Sequence, residues 1–252
     1  RCWEPRFSPL RRWTQIAPSA VQGVLREFFA RWGLPGRIRV DNGHPWGKQV
    51  DLLSGLALWL IGLDVGMIWN PPSRPQRNGK VERNHGVLDQ WVEPSRCKDG
   101  IDLLRKLAWA QQVQREEYPA IGGRTRTQAY PRLLEKAREY RRDEEASLWD
   151  IKRVRRYLAQ GAWERRVNKC GQVTMYNWGY TVGREYRYRG VSVHFDADTN
   201  EWIIREHQGE ELARHTAAEI EQERILMLDV GYVKPHRRNC WRCLTWLMAE
   251  RA

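Results

Sequence analysis

From Val173 onward the apolar residues fall on alternate positions. Val173 and Met175, Tyr180 and Val182, Val191, Val193 and Phe195, and Trp202 and Ile204 each step by two. Turn-forming residues separate them at Asn177–Gly179, Arg189-Gly190, Asp196–Asn200 and Gly209. A period of two puts every second side chain on one face of an extended chain, so this section must form half-buried strands joined by tight turns. Four or five such strands in about 45 residues make a small all-β unit, SH3-like in size.

Upstream the period changes. Ser19-Ala-Val-Gln22 fits a capping box, and Val21, Val24, Leu25, Phe28, Phe29 and Trp32 recur at helical spacing until Gly33 and Pro35 stop the helix. Arg37–Val40 reads as a short strand ending at Asp41-Asn42-Gly43. A second, apolar helix is expected from about Val50 to Ile61, closed by Gly62. Asp64–Trp69 is a second strand, ended by Pro71-Pro72. A long loop then enters a helix with the stripe Val81, His85, Leu88 and Trp91. This alternation predicts an α/β layer with a largely parallel sheet. From about Pro94 to Leu158 the pattern is helical and charged, interrupted at Tyr118–Gln128. The expected divisions are 1–93 for the α/β part, 94–164 for a helical connector, 165–222 for the β unit and 223–252 for a tail.

The chain of 252 residues carries a net charge of +12, and the charge is concentrated. Residues 151–189 hold ten Lys/Arg, including Arg153, Arg155 and Arg156, against two acids. Residues 190–223 hold nine acids against two arginines. Concentrated positive charge fits a polyanion track, and the acidic stretch implies that only one side of the β unit meets it. Trp149, Tyr157, Trp163, Tyr176, Trp178, Tyr186 and Tyr188 are interleaved with the cations. Aromatic residues between cations suit gripping of nucleic acid, although Trp178 and Trp202 fit a barrel core better. The five cysteines are odd in number and scattered, which argues against a disulfide framework and fits a reducing cytoplasm. Cys240 and Cys243 have the spacing of half a zinc site, with no second pair to complete it. The longest apolar run, around Leu56 to Ile61, is too short to span a bilayer.

Two acids stand where chemistry is commonly placed. Asp41 ends a strand, at the edge where α/β sheets hold ligands, and Glu82 lies in the first turn of a helix, off its apolar stripe. Two carboxylates brought together repel unless a cation neutralises them. Oxygen donors of this kind suit Mg²⁺ or Mn²⁺, which activate nucleophiles in phosphoryl transfer. Around Glu82 the basic residues Arg74, Arg77, Lys80 and Arg83, with Asn78, either meet a phosphate backbone or are solvated charges at a helix start.

"VDNG" (Val40–Gly43) followed by "RPQRNGKVER" (Arg74–Arg83) resembles the integrase-core transposases of bacterial insertion sequences, relatives of retroviral integrase. The likeness covers about 15–92 and continues over 165–220, where the sequence resembles the small C-terminal barrel of the same transposases. It implies an RNase H-like α/β fold, incomplete at the N-terminus, then a helical linker and an SH3-like barrel. It also implies that Asp41 and Glu82, with 40 residues between them, are the second and third members of a D,D,E triad that binds a pair of Mg²⁺ or Mn²⁺ ions. The activity implied is polynucleotidyl transfer at DNA phosphodiesters. The implied partners are double-stranded DNA, as transposon ends and target, and further copies of the chain; the implied location is the bacterial cytoplasm, at the nucleoid.

The pattern departs from the family at one point. No aspartate precedes Asp41, and the upstream acids are only Glu4 and Glu27. The expectation is a fragment or decayed copy of a transposase with impaired metal binding and little strand transfer. The alternative is a non-catalytic DNA-binding remnant or accessory protein. An RNase H-like nuclease of another kind is the third reading, and the C-terminal β unit weakens it.

Overall fold

A computed structural model of the chain describes residues 17–47, 51–71, 79–136, 138–206 and 209–231. The chain is mixed α/β. Helix α1 (Pro18–Trp32) begins before the expected capping box: Pro18 sits in its first turn and Ala17 caps it without a side-chain bond. Proline's fixed φ starts a helix without needing the hydroxyl of Ser19. The helix ends as expected at Gly33, whose N–H bonds Phe29 O and whose φ is 81°. A Cβ there would lie 2.5 Å from Arg138 O, so glycine is required twice over, by conformation and by space.

Strand β1 (Arg37–Val40) pairs in parallel with β2 (Gly66–Trp69), in a register that places Val40 beside Trp69. Arg138 clamps the other end of the pair: Nη2 donates to Pro35 O at 2.6 Å and Asp64 O at 2.9 Å, and Nη1 donates to Asp64 Oδ2 at 3.1 Å. Helix α2 (Gly55–Gly62) connects the two strands. It starts later than Val50 because Ser54 Oγ accepts from Ala57 N at 3.2 Å and so sets the N-cap. Its sequence, Gly-Leu-Ala-Leu-Trp-Leu-Ile-Gly, is apolar on all sides, and residues 56–60 are essentially inaccessible. A helix with no polar face must be covered all round. Trp149 lies so close over Gly62 that any side chain there would enter the indole ring.

Helix α3 (Gly79–Val92) packs on α4 (Gly100–Glu116) through Trp91, which meets Trp109 and Tyr118. Thr125 and Gln128 form the capping box of the one-turn helix α5 (Arg126–Ala129). A further short helix α6 (Glu145–Leu148) leads to α7 (Ile151–Leu158), which is capped by Asp150 and buries Val154 and Leu158. Trp149, Val154 and Leu158 share one continuous buried cluster with residues of both flanking parts, from Phe29 to Val230.

The β section forms strongly from its alternation. Strands β3 (Ala162–Arg166), β4 (Gln172–Met175), β5 (Trp178–Thr181), β6 (Gly190–Asp196), β7 (Glu201–Arg205) and β8 (Glu211–Thr216) make a four-stranded antiparallel sheet, β3-β6-β7-β8, and a separate β4-β5 hairpin. No closed barrel is found among the described residues. The hairpin turn is Tyr176-Asn177, both at positive φ, one residue ahead of the expected Asn177–Gly179. Two such residues make the I′ geometry that matches strand twist. Val191, Val193, Phe195, Trp202 and Ile204 fill the core as their spacing predicted. The edge strands β3 and β8 were not legible, because their polar residues hide the alternation. Helix α8 (Gln222–Leu226) returns to pack on α2. Among the described residues no helix is long and apolar enough to cross a membrane.

Candidate functional site

The register of β1 and β2 carries Asp41 and Asn70 out of the sheet side by side, at the carboxyl ends of two parallel strands. Asn70 N donates to Val40 O at 2.9 Å, extending the ladder by one step. Asn70 Nδ2 donates to Asp41 Oδ1 at 2.7 Å, and Asn42 Nδ2 donates to the main-chain oxygen of Asn70. Asp41 is exposed while Asn70 is buried, so a buried amide presents a carboxylate at the surface. Beyond Asn42 the chain closes a tight loop in which Gly43 and Gly47 exchange N–H···O bonds of 2.9 and 2.8 Å.

Glu82 and Lys80 lie in the first turns of α3, with side chains outside the described residues. Arg83, one position on, is exposed. Arg74, Arg77 and Asn78 fall outside the described residues, as do Cys240 and Cys243. Among the described residues no group of three or more His, Cys, Asp or Glu is gathered. The donor present is nonetheless of the right kind. An exposed carboxylate that accepts from a neutral amide is the hard oxygen donor that a divalent ion takes.

The basic residues expected along 151–189 divide by role. Arg153 Nη1 donates to Gly62 O at 2.8 Å and Leu148 O at 3.1 Å, so it covers the carbonyl end of α2. Arg155 is half-buried. Arg156 is exposed, and its Nε donates to Lys152 O at 3.3 Å. Arg153, Arg156, Tyr157 and Gln160 line an open cleft of about 360 Å³ floored by Ile61, Val65 and Met67. Lys152 is exposed as well, and so, on the β unit, are Arg166, Lys169, Arg184, Arg187 and Arg189. Two loops bring these five together: Val167 N bonds Arg189 O at 3.0 Å and Tyr188 N bonds Val167 O at 2.9 Å. Tyr188, at 59% exposure, lies under the Arg166 guanidinium, 5.9 Å from its ring centre, and Arg189 stands 5.7 Å from the Tyr186 ring. At the opposite edge of the sheet Arg214 ties Asp196, Glu201 and Glu211 together. The β unit is thus basic at the β3 edge and acidic at the β8 edge.

Two buried carboxylates are structural. Glu145 accepts from Arg26 Nη2 at 2.6 Å, Arg26 Nε at 2.8 Å, Trp59 Nε1 at 3.2 Å and the Tyr140 hydroxyl. Burial pushes its pKa up, but these donors outweigh burial and hold it below the usual glutamate value. Glu219 accepts from Trp202 Nε1 at 2.9 Å and from the Tyr180 hydroxyl; burial outweighs these donors and the nearby Arg224 charge and pushes its pKa above the usual value. Both have their oxygens committed inside the core. Neither was singled out from sequence, nor was Asn70, which reads only as the polar residue that ends a strand. No family model matches the sequence.

Proposed function

We propose that the chain is a DNA-handling protein of the DDE transposase and integrase class. In this reading its α/β part is RNase H-like and its β unit is SH3-like. Asp41 and Glu82 are the ligands of Mg²⁺ or Mn²⁺, and double-stranded DNA is the substrate. The observation that carries it is the exit of Asp41 at the carboxyl edge of a parallel strand pair, inside the motif that resembles the family's. The basic β3 edge supports a duplex-binding role, through phosphate contacts that position without reading sequence. Lys80, Arg83, Arg74, Arg77 and Asn78 are proposed to hold the phosphate backbone beside Glu82. The exposed apolar residues of α4, Ile101, Leu104 and Trp109, support pairing with further copies of the chain.

When bound, the divalent ions supply Lewis-acid activation of a water or 3′-hydroxyl for in-line attack on a phosphodiester. The protein's part is to hold the carboxylates at one edge and the duplex against them. The second reading is a non-catalytic DNA-binding or accessory protein of transposase descent, with little joining activity of its own: within these 252 residues the resemblance assigns two carboxylates, Asp41 and Glu82.

The test is electrophoretic mobility of a duplex with and without Mn²⁺, for the wild-type chain and Asp41→Asn. The expected result is binding by both proteins, strengthened by Mn²⁺ only in the wild type. Failure of the wild type to bind duplex sinks the class assignment. Mg²⁺-dependent strand joining that Glu82→Gln abolishes would instead overturn the impaired activity.

A further inference from the structure

We infer that Tyr188 is a stacking platform for an unpaired base, so that the basic edge of the β unit takes a DNA end with a single-stranded extension in preference to a blunt duplex. The inference rests on the proposed reading of that edge as a DNA surface. Tyr186, two residues earlier, packs against the buried cluster, whereas Tyr188 has no part in it. Tyr188 stands 59% exposed at a φ of 64°, a conformation that strains a bulky residue. The neighbouring chain holds it there: Tyr188 N bonds Val167 O at 2.9 Å, and Tyr188 O accepts from Arg166 Nε at 3.0 Å. Both main-chain groups are bonded, so a firmly held turn carries an aromatic ring outward.

Burial does not explain that ring, and its surroundings suit a nucleotide. The Arg166 guanidinium stands over it, 5.9 Å from its centre, adding a cation to any stack built there. Arg187 is the preceding residue, and Lys169 and Arg184 lie exposed on the same two loops, so phosphates flanking a stacked base meet positive charge. The one acid within 167–171 and 182–189, Glu185, has its carboxylate against Gly183. Inside a duplex the base faces are covered by their neighbours, and a surface of this kind is left with phosphate contacts alone. An unpaired nucleotide has its faces free and can lay one on the ring. Such stacking typically carries about 5- to 150-fold of affinity per base.

The experiment is fluorescence anisotropy of the full chain with two labelled DNAs of equal phosphate number, a blunt duplex and a duplex with a short 3′ extension. Wild type is expected to bind the extended DNA at least about fivefold more tightly. Tyr188→Ala should lose that preference while keeping the wild-type salt slope, because no phosphate contact is removed. Tyr188→Phe should retain the preference. If Tyr188→Ala fails to fold, Tyr188→Gly, which suits the left-handed φ, decides the matter. Equal binding of the two DNAs by wild type, or a preference that survives loss of the ring, overturns the inference and leaves duplex binding standing. A wild-type chain that binds neither DNA removes the DNA reading, and the inference falls with it.

Discussion

Replacing Arg166 and Arg187 by glutamine should halve the salt dependence of duplex binding. The magnitude follows from the surface. Five cations, Arg166 at the end of β3 and Lys169, Arg184, Arg187 and Arg189 on the two loops beside it, stand exposed. Arg189 is discounted because it pairs with Glu206 at 3.3 Å; Arg166 is kept because its bond to Tyr188 O, at 3.0 Å, uses Nε alone and leaves its Nη groups for phosphate, so four contacts remain. Each contact releases condensed counterions and contributes about −0.9 to the slope of log affinity against log salt. Four contacts give a slope of about −3.6, so affinity falls about 150-fold between roughly 50 and 200 mM salt. With two contacts removed the slope becomes about −1.8 and the fall about 12-fold. Fluorescence anisotropy of a labelled duplex over that range measures both slopes. Arg153→Gln is the control. Its guanidinium is held by Gly62 O and Leu148 O, so the substitution should lower the melting temperature and leave the slope nearly unchanged. A double variant with the wild-type slope, or an Arg153 variant that flattens it, refutes the placement of the duplex on the β3 edge.

Two further predictions concern the buried carboxylates and have opposite signs with pH. Glu145→Gln leaves the half-buried Arg26 guanidinium without its counter-charge and should cost about 1.5–3 kcal/mol at neutral pH by urea unfolding. Because Glu145 is held below its unfolded pKa, its contribution is present above about pH 4.3 and is lost as pH falls through the folded value. The cost of the substitution should therefore shrink in acid, and a cost independent of pH would contradict the assignment. Glu219 is pushed above its unfolded pKa, so its contribution is present below about pH 4.3 and is lost as pH rises through the folded value. The cost of Glu219→Gln should shrink toward alkaline pH, and unfolding curves in which it grows would refute the sign.

Elements set by short-range pattern were legible from the chain alone. Alternation by twos over Val191–Phe195 and Trp202–Ile204 fits extended strands, and β6 and β7 lie there, although β7 also buries Ile203 on its other face. Gly33 stops α1 because its left-handed φ is open to few other residues, and Arg37–Val40 is a strand at the expected bounds. Asp41 at a strand end was legible for the same local reason.

What required the tertiary structure is every property set by a partner distant in sequence. Arg153 looks like any other cation of a basic run, and only its bond to Gly62, 91 residues away, makes it a structural cap. The amide of Asn70 gains its meaning from Asp41, 29 residues earlier, because parallel pairing aligns the two strand ends. Edge strands β3 and β8 escape the pattern because one side faces solvent and tolerates charge, so their identity comes from the neighbours they pair with. Local periodicity decides which segments are helix or strand, whereas pairing register decides which polar side chains meet.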